Sequence, residues 1–404
     1  MAILSGVRVL DLTRIVAGPW ATQTLADLGA EVIKIEKPGE GDDTRRMGPF
    51  VKDQAGQDTD DSAFFLACNR GKKSVTIDIA CAQGQALIRE LAAQSDVFVE
   101  NFKAGALAHY GLDYASIQAI NPRIIYCSVT GFGVDGPYAG LPAYDFILQA
   151  MSGLMSTCGH PDGAPGAGPM RTAIPLTDLA TGLYATISIL AALIHRDQTG
   201  SGQFIDAALL DASVALSGHL AVGYLMTGKV PPRIGNANHV SAPSEVFDTS
   251  DGHIIAGAGN NGQFKALMET LGRPELVQDP RFDSNVKRLR NRRALYELIE
   301  ALTVAHDTAY WIERLNAAGI PCGPINEFPA VFADPQVIHR GIKREVMHGR
   351  GVSVPMLKSP LNLSAAPVDY RAAPMLGADT EAVLHSLLKL SDAEIDGLRE
   401  QQVV

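Results

Sequence analysis

Short apolar runs and amphipathic stretches alternate over the first 130 residues. VRVLDL (7–12) is a β-branched-rich run that predicts a strand. AGPWATQTLADLG (17–29) has helical spacing, with Gly29 placed to close the helix in the left-handed region, and AEVIKIE (30–36) is a second apolar strand. Strand, helix and strand in that order form a crossover unit, which implies a parallel sheet. The alternation continues through SVTIDI (74–79), AQGQALIRELAAQ (82–94), DVFVEN (96–101), DYASIQAI (113–120) and RIIYCSVT (123–130). The expected fold class is α/β: a doubly wound, Rossmann-like parallel sheet with ligands at the carboxyl ends of its strands, in the loops after Leu12, Glu36, Asn101 and Thr130.

The longest uncharged run, 179–194, follows Asp178. It falls short of the roughly 20 residues that span a bilayer and contains Thr181, Gly182, Thr186 and Ser188, so it reads as a buried helix. Beyond Leu225 the composition changes. MTGKVPPRIGNANHVSAPSEVF (226–247) is rich in Pro, Gly and Asn, and it leads into DGHIIAGAGNNGQF and the Arg-rich helical stretch NVKRLRNRRALYELIEAL. The expected division is a large domain over 1–225, a smaller α+β domain over 226–320, and a segment over 321–404 that returns to the large domain and ends in the helical SDAEIDGLREQ.

With 404 residues the chain can bury two cores, and a hydrophobic share of 46% beside a charged share of 19% excludes a disordered or fibrous protein. A net charge of −10 without any basic block argues against nucleic acid and anionic membrane as partners, so a polyanionic ligand requires a local basic pocket. Cys68, Cys81, Cys127, Cys158 and Cys322 are scattered, odd in number and never in CxxC spacing, which fits a reducing compartment. Arg8 and Asp11 interrupt the N-terminus before an apolar signal core can form, so a cytoplasmic location is expected, or an organelle matrix after removal of a targeting peptide.

GFGVDG (131–136) follows a predicted strand and matches GxGxxG, but Pro137 and Pro142 block the helix that would hold a pyrophosphate, so a turn-rich loop is expected. HExxH, a nucleophile elbow and a P-loop are absent, and the ten histidines form no i, i+4 pair, leaving a metal site without support. Asp178 stands out. Thr177 is placed to cap the helix that starts at IPLTD, and Asp178 in its first turn would be held ionised by the positive helix end. Position alone favours a structural cap, since Asp is common there for that reason, although the same field suits a nucleophilic carboxylate.

A resemblance separates the two. GVRVLDLTRIVAGPWATQTLADLGAEVIKIEKPGEGDDTR, NRGKKSVTIDI, ENFKAGAL, TGFGVDGPYAGLPAYD, PLTDLATGLYA and GIPCGPI, in this order along nearly the whole chain, resemble the class III CoA-transferases, the CaiB/BaiF family that includes formyl-CoA transferase. The resemblance implies an interlocked homodimer, each chain threaded through its partner. It implies that Asp178 attacks a donor acyl-CoA, passing through an aspartyl-acyl anhydride and an aspartyl-CoA thioester before a free carboxylic acid leaves as the new thioester. No permanently bound cofactor is implied; the CoA thioester is a substrate. Such an attack needs reactants held in line and water excluded.

The resemblance also assigns residues. Gly257, Gly259, Asn260, Asn261 and Gly262 of GAGNNGQF match a glycine loop that closes over the aspartate and offers donors to a tetrahedral oxyanion. Val16, Ala17, Arg70, Lys72, Lys73, Asn101 and Phe102 match CoA contacts, Tyr144 matches a tyrosine on CoA, and Lys37 is a further candidate for its phosphates. Formyl-CoA transferases carry glutamine at Val16 and an arginine at His109, so a formyl-CoA and oxalate pairing and the His109 contact are both in question here. The loop and the LDLTRIVAGP start are most similar to the branch that uses succinyl-CoA as donor to another dicarboxylate or its analogue. Arg45, Arg46 and Arg171 are candidates to read the distal carboxylate, with surface salt bridges as the alternative. Two other readings remain within the family: an α-methylacyl-CoA racemase, whose histidine is Tyr144 here, a phenol poorly matched to proton abstraction, and an inactive subunit of a heteromer, against which Asp178 and the intact glycine loop argue.

Overall fold

The structure, a computed structural model, describes residues 2–404. The chain divides into two compact units. The larger takes the chain up to Leu154, Arg171–Lys229 and Ile338–Val404, and the smaller takes Met155–Met170 and Val230–Val337. The division therefore falls at Lys229 rather than Leu225, a short piece before Arg171 leaves the large unit, and the small unit runs past residue 320.

In the larger unit the strands are β1 (Arg8–Leu12), β2 (Glu31–Glu36), the hairpin β3 (Phe50–Lys52) and β4 (Asp58–Ser62), β5 (Lys73–Thr76), β6 (Val97–Glu100), β7 (Ile125–Thr130) and β8 (Gln203–Ala208). Six of them form one parallel sheet in the order β5-β2-β1-β6-β7-β8. The chain winds outward from β1 to β5, then returns beside β1 at β6 and winds the other way to β8. The strand order reverses between β1 and β6, which is where a doubly wound sheet opens a crevice for ligands.

Successive side chains of a strand face opposite ways, and both faces are covered. Leu10, Leu12, Ile33 and Phe98 pack on Leu87, Ile88 and Leu91 of α3 (Ala82–Ala93). Val9, Val32, Val97 and Val99 pack on Ala21 and Leu25 of α1 (Ala17–Asp27), and on Ala185, Ile189 and Leu193 of α7 (Leu176–Thr199). Between these lie α2 (Ala63–Asn69), α4 (Tyr114–Ile120), α5 (Asp145–Met151) and the single turn α6 (Leu154–Thr157). Gly29, with φ of 96°, follows α1 in the left-handed region as its position predicts. Val383, Leu384 and Ile395 near the C-terminus join the first of these cores.

The uncharged run is only the middle of α7, a helix of 24 residues long and apolar enough to cross a membrane by length and composition, contrary to the shorter span read from the sequence. Half of its most apolar window is buried against the sheet and α1; Leu183, Tyr184, Ile187 and Ile194 are exposed.

After α8 (Leu209–Leu216) and α9 (Gly218–Thr227), the smaller unit builds an antiparallel sheet from β9 (Ser244–Asp248), β10 (His253–Gly257) and β11 (Cys322–Pro324). β11 pairs with β10, which is why this unit extends beyond residue 320. Phe247, Ile254, Phe264, Leu295, Trp311 and Leu315 fill its core, drawn from the sheet, α10 (Asn261–Thr270), α12 (Arg292–Thr303), which follows the short α11 (Asn285–Arg290), and α13 (Thr308–Ala317). All five cysteines are free thiols.

Candidate active site

A cleft of about 320 Å³ opens at the carboxyl ends of β1 and β6. Arg14 to Ala17 line it after β1, Asn101 and Phe102 after β6, and Thr130 and Gly131 at the end of β7; Tyr144, Asp145 and Asp178 are also on its wall. A second cavity of about 240 Å³ shares Arg14, Asp43 and Phe102 with it and reaches Lys37. The GFGVDG segment is a series of turns without a helix. A β-carbon on Gly131 would lie 2.1 Å from the Ala143 β-carbon, so glycine there serves a close approach of two loops, not a phosphate cradle.

Asp178 is the third residue of α7. Thr177 is the second and does not cap the helix. Its backbone N–H and its hydroxyl instead donate to Asp145 Oδ1 at 2.8 and 2.6 Å, while Asp145 Oδ2 accepts from Gln149 Nε2 at 2.7 Å. The residue at the cap position, Pro175, has no side-chain acceptor, so the cap comes from the first residue of α5. Sequence reasoning missed Asp145; the signal was its place beside Tyr144 at a helix start in PAYDFI.

Asp145 also changes the charge state expected for Asp178. The helix end favours the anion by about 0.3–1 kcal/mol. Burial in the cleft, and then the neighbouring Asp145 carboxylate, act the other way and push the Asp178 carboxyl from 3.8 up to about 7. Each tenfold change in proton affinity is worth about 1.4 kcal/mol, so burial and like charge win. A carboxylate attacks only as the anion. For the nucleophile role that the resemblance implies, kcat/KM, which follows the free enzyme, is therefore expected to fall about tenfold per pH step below 7 and to level above it. Asp145→Asn keeps an oxygen for Thr177 and removes the like charge, so the acid limb should move to lower pH. A limb that stays in place would show that Asp145 does not set it.

Gly182 lies one turn beyond Asp178. A β-carbon there would come 2.7 Å from the Ala17 carbonyl oxygen and 3.1 Å from Trp20 Cβ. Its absence lets the first turn of α1 lie directly on α7, and this brings Val16 and Ala17, both buried, into the cleft with Asp178.

The other expected CoA contacts divide. Phe102 lines both cavities, with the Arg14 guanidinium 5.6 Å from its ring centroid. Tyr144, 62% exposed, lines the cleft and stacks near Phe146. Asn101 lines the cleft too, but both ends of its amide bind the Arg14 backbone. The basic run does not form a phosphate pocket. Arg70 is buried on Asp27, with Nε to Oδ1 at 2.8 Å. Lys72 is fully buried on Asp11 Oδ2 at 3.0 Å, the Pro19 carbonyl at 3.0 Å and Asn69 Oδ1 at 2.8 Å, and burial, partly offset by Asp11, lowers its ammonium to about 8. Lys73 pairs with Glu31 at 2.7 Å. His109 is exposed on a short 3₁₀ turn and lines neither cavity, and Lys37 pairs with Glu40. Arg14 and Lys103 are cleft-lining cations that sequence reasoning did not single out.

Of the arginines proposed for a distal carboxylate, Arg45 is buried. It binds both oxygens of Glu36 at 2.8 Å and Asp61 Oδ1 at 2.8 Å, which removes it from ligand recognition. Arg46 is exposed near Glu40 and Asp43, and Arg171 is exposed away from the cleft lining. The glycine loop belongs to the smaller unit. Gly257 ends β10, where a β-carbon would meet Ser244 Oγ at 3.0 Å. Asn260 caps α10 through Gln263 N at 2.9 Å, and Gly259 N donates to Gln263 Oε1 at 2.9 Å. Asn261 Oδ1 accepts from Arg288 at 3.0 Å, and none of the three glycines has a positive φ. The two asparagine oxygens therefore hold a strand-to-helix turn, and Gly262 sits in the first turn of α10.

The half-buried carboxylate lies in the crevice at the reversal point of a doubly wound sheet, the place where α/β proteins of this class take their ligands. The family follows from comparison: residues 4–380 match the model of CoA-transferase family III, and the chain belongs to that family. It is 42% identical over 385 residues to a succinate–glutarate CoA-transferase of Agrobacterium fabrum, covering 95% of each chain. It is also 42% identical to the human succinyl-CoA:glutarate CoA-transferase, over 99% of this chain and 90% of the human one. Among solved structures, a CAIB/BAIF family protein from Brucella suis superposes with a TM-score of 0.84 at 45% identity, over 95% of this chain and 98% of the other.

Proposed function

We propose that this enzyme moves CoA from succinyl-CoA to a second dicarboxylate, glutarate first among the candidates, with Asp178 as the nucleophile. The observation that carries the reading is the placement of Asp178: a half-buried carboxylate beside the first turn of α1, at the reversal point of the sheet. The Asp178 anion attacks the thioester carbonyl of succinyl-CoA, forming a mixed anhydride and releasing CoA thiolate. The thiolate attacks the aspartyl carbonyl, giving an aspartyl-CoA thioester and free succinate. The acceptor carboxylate attacks that thioester in turn, and the thiolate takes the acceptor's acyl group, restoring the Asp178 carboxylate. Each thioester's energy passes to the next, so the cycle consumes no nucleoside triphosphate. Arg14, Lys37 and Lys103, on the cavity walls, are the cations available to CoA phosphates or to a distal carboxylate; the buried Arg70 and Lys72 are not.

The interlocked homodimer belongs to the same reading, supported by the apolar side chains left exposed in the larger unit: Leu183, Ile187 and Ile194 of α7, and Leu225 and Met226 of α9. Such patches mark interaction surfaces. The test is mass spectrometry of the CoA esters formed when pure protein meets succinyl-CoA and a pool of mono- and dicarboxylates. Glutaryl-CoA or another dicarboxyl-CoA is expected, from a preparation that sediments as a dimer. Hydrolysis alone would sink the transfer reading, α-proton exchange in heavy water would replace it with a racemase, and a monomer would overturn the dimer.

A further inference from the structure

The turn from β1 into α1 is held by side chains at five consecutive backbone groups. Thr13 N–H donates to Asp11 Oδ1 at 2.9 Å, and the Thr13 carbonyl accepts from Lys34 Nζ at 2.7 Å. Arg14 N–H donates to Asn101 Oδ1 at 2.8 Å, and the Arg14 carbonyl accepts from Asn101 Nδ2 at 2.7 Å. Ile15 N–H reaches Asp42 Oδ1 at 3.3 Å. The holders are themselves fixed, because Lys34 pairs with Asp42 at 2.9 Å and Lys72 with Asp11 at 3.0 Å, all four side chains fully buried.

This turn does something its sequence resists. Ile15 has φ of 71°, a region that a β-branched residue enters only when its surroundings hold it there. The next two residues, Val16 at the cap position and Ala17 as the first residue of α1, share the cleft with Asp178. Release of Ile15 toward ordinary backbone angles would swing exactly these two residues relative to the reacting carboxylate.

We infer that Asn101 is a positioning residue for CoA transfer: by gripping both backbone polar groups of Arg14 it holds Ile15 in the left-handed conformation and keeps Val16 and Ala17 in place beside Asp178. A direct contact with CoA would load its effect on substrate affinity; a clamp loads it on turnover. With the CoA ester that the wild type uses fastest, Asn101→Ala should lower kcat by about 10- to 100-fold, the scale of a small misplacement at a reacting centre, while KM for that ester changes by less than about threefold. Asn101→Asp keeps the acceptor for Arg14 N–H, loses the donor for its carbonyl, and should fall between.

The decisive readout is a cycle with Ile15→Gly. Glycine adopts a positive φ unaided, so Asn101→Ala should cost distinctly less in the Ile15→Gly background than in the wild type. Equal cost in both backgrounds, or a rise in KM with kcat intact, would overturn the inference. Should Asn101→Ala fail to fold, Asn101→Asp supplies the same cycle with the same two overturning outcomes.

Discussion

Asp178→Asn is expected to reduce transfer by about 10⁶-fold, the scale seen when a nucleophile is removed, and at the same time to stabilise the folded protein above pH 7. Both follow from the burial that makes the site. The carboxyl titrates near 7 when folded and near 3.8 otherwise, so the native state holds more protons than the unfolded one between those values. Its stability must fall as pH rises through that window. Below about pH 4 the two chains should be equally stable; above 7 the variant should gain about 2 kcal/mol, a figure reduced for the partial exposure of the group from the roughly 4 that the full displacement implies. Acyl-CoA binding should survive, since the amide preserves shape. Urea unfolding at pH 4.5 and 8, beside the transfer assay, checks both halves. A variant that is inactive yet less stable at pH 8 would mean that Asp178 is a structural cap after all.

The fold was largely legible because a parallel sheet buried on both faces requires nearly continuous apolar strands, and β1, β2, β6 and β7 have them. β8 was not read: QFIDAA carries Gln203 and Asp206, and as an edge strand it needs little burial. Asp178 was legible from its place at the head of an uncharged run, but its electrostatics were not, because Asp145 lies on another helix and reaches it only through the fold. The same limit applies to NRGKK. Whether a cation faces a ligand or a partner depends on Asp11, Asp27 and Glu31, which stand 61, 43 and 42 residues away in the chain. The asparagine cap of the glycine loop was in plain view, since Asn260 precedes Gln263 by the three residues that mark a helix start.

Arg45→Met should be strongly destabilising, by about 3–5 kcal/mol, because it leaves partners buried and uncompensated. The guanidinium binds Glu36 and Asp61, each side chain about 1% exposed, and lies 3.6 Å from the centroid of the Phe65 ring. Burial alone would raise the Glu36 carboxyl, yet the hydrogen bonds from Arg45 and the nearby Lys34 hold it below its usual range. Glu36 therefore contributes stability that is present at neutral pH and lost as acid protonates it. Methionine keeps much of the volume but removes the cation, so burial should then dominate and Glu36 should titrate upward. The deficit of Arg45→Met should consequently be largest near pH 7 and shrink toward pH 4 to 5, where a neutral Glu36 no longer needs a partner. Thermal or urea unfolding across that range measures it. If Arg45 instead read a substrate carboxylate, the variant would unfold like the wild type and show only a higher KM for the dicarboxylate. Stability and KM thus separate a buried strut from a recognition residue in one experiment.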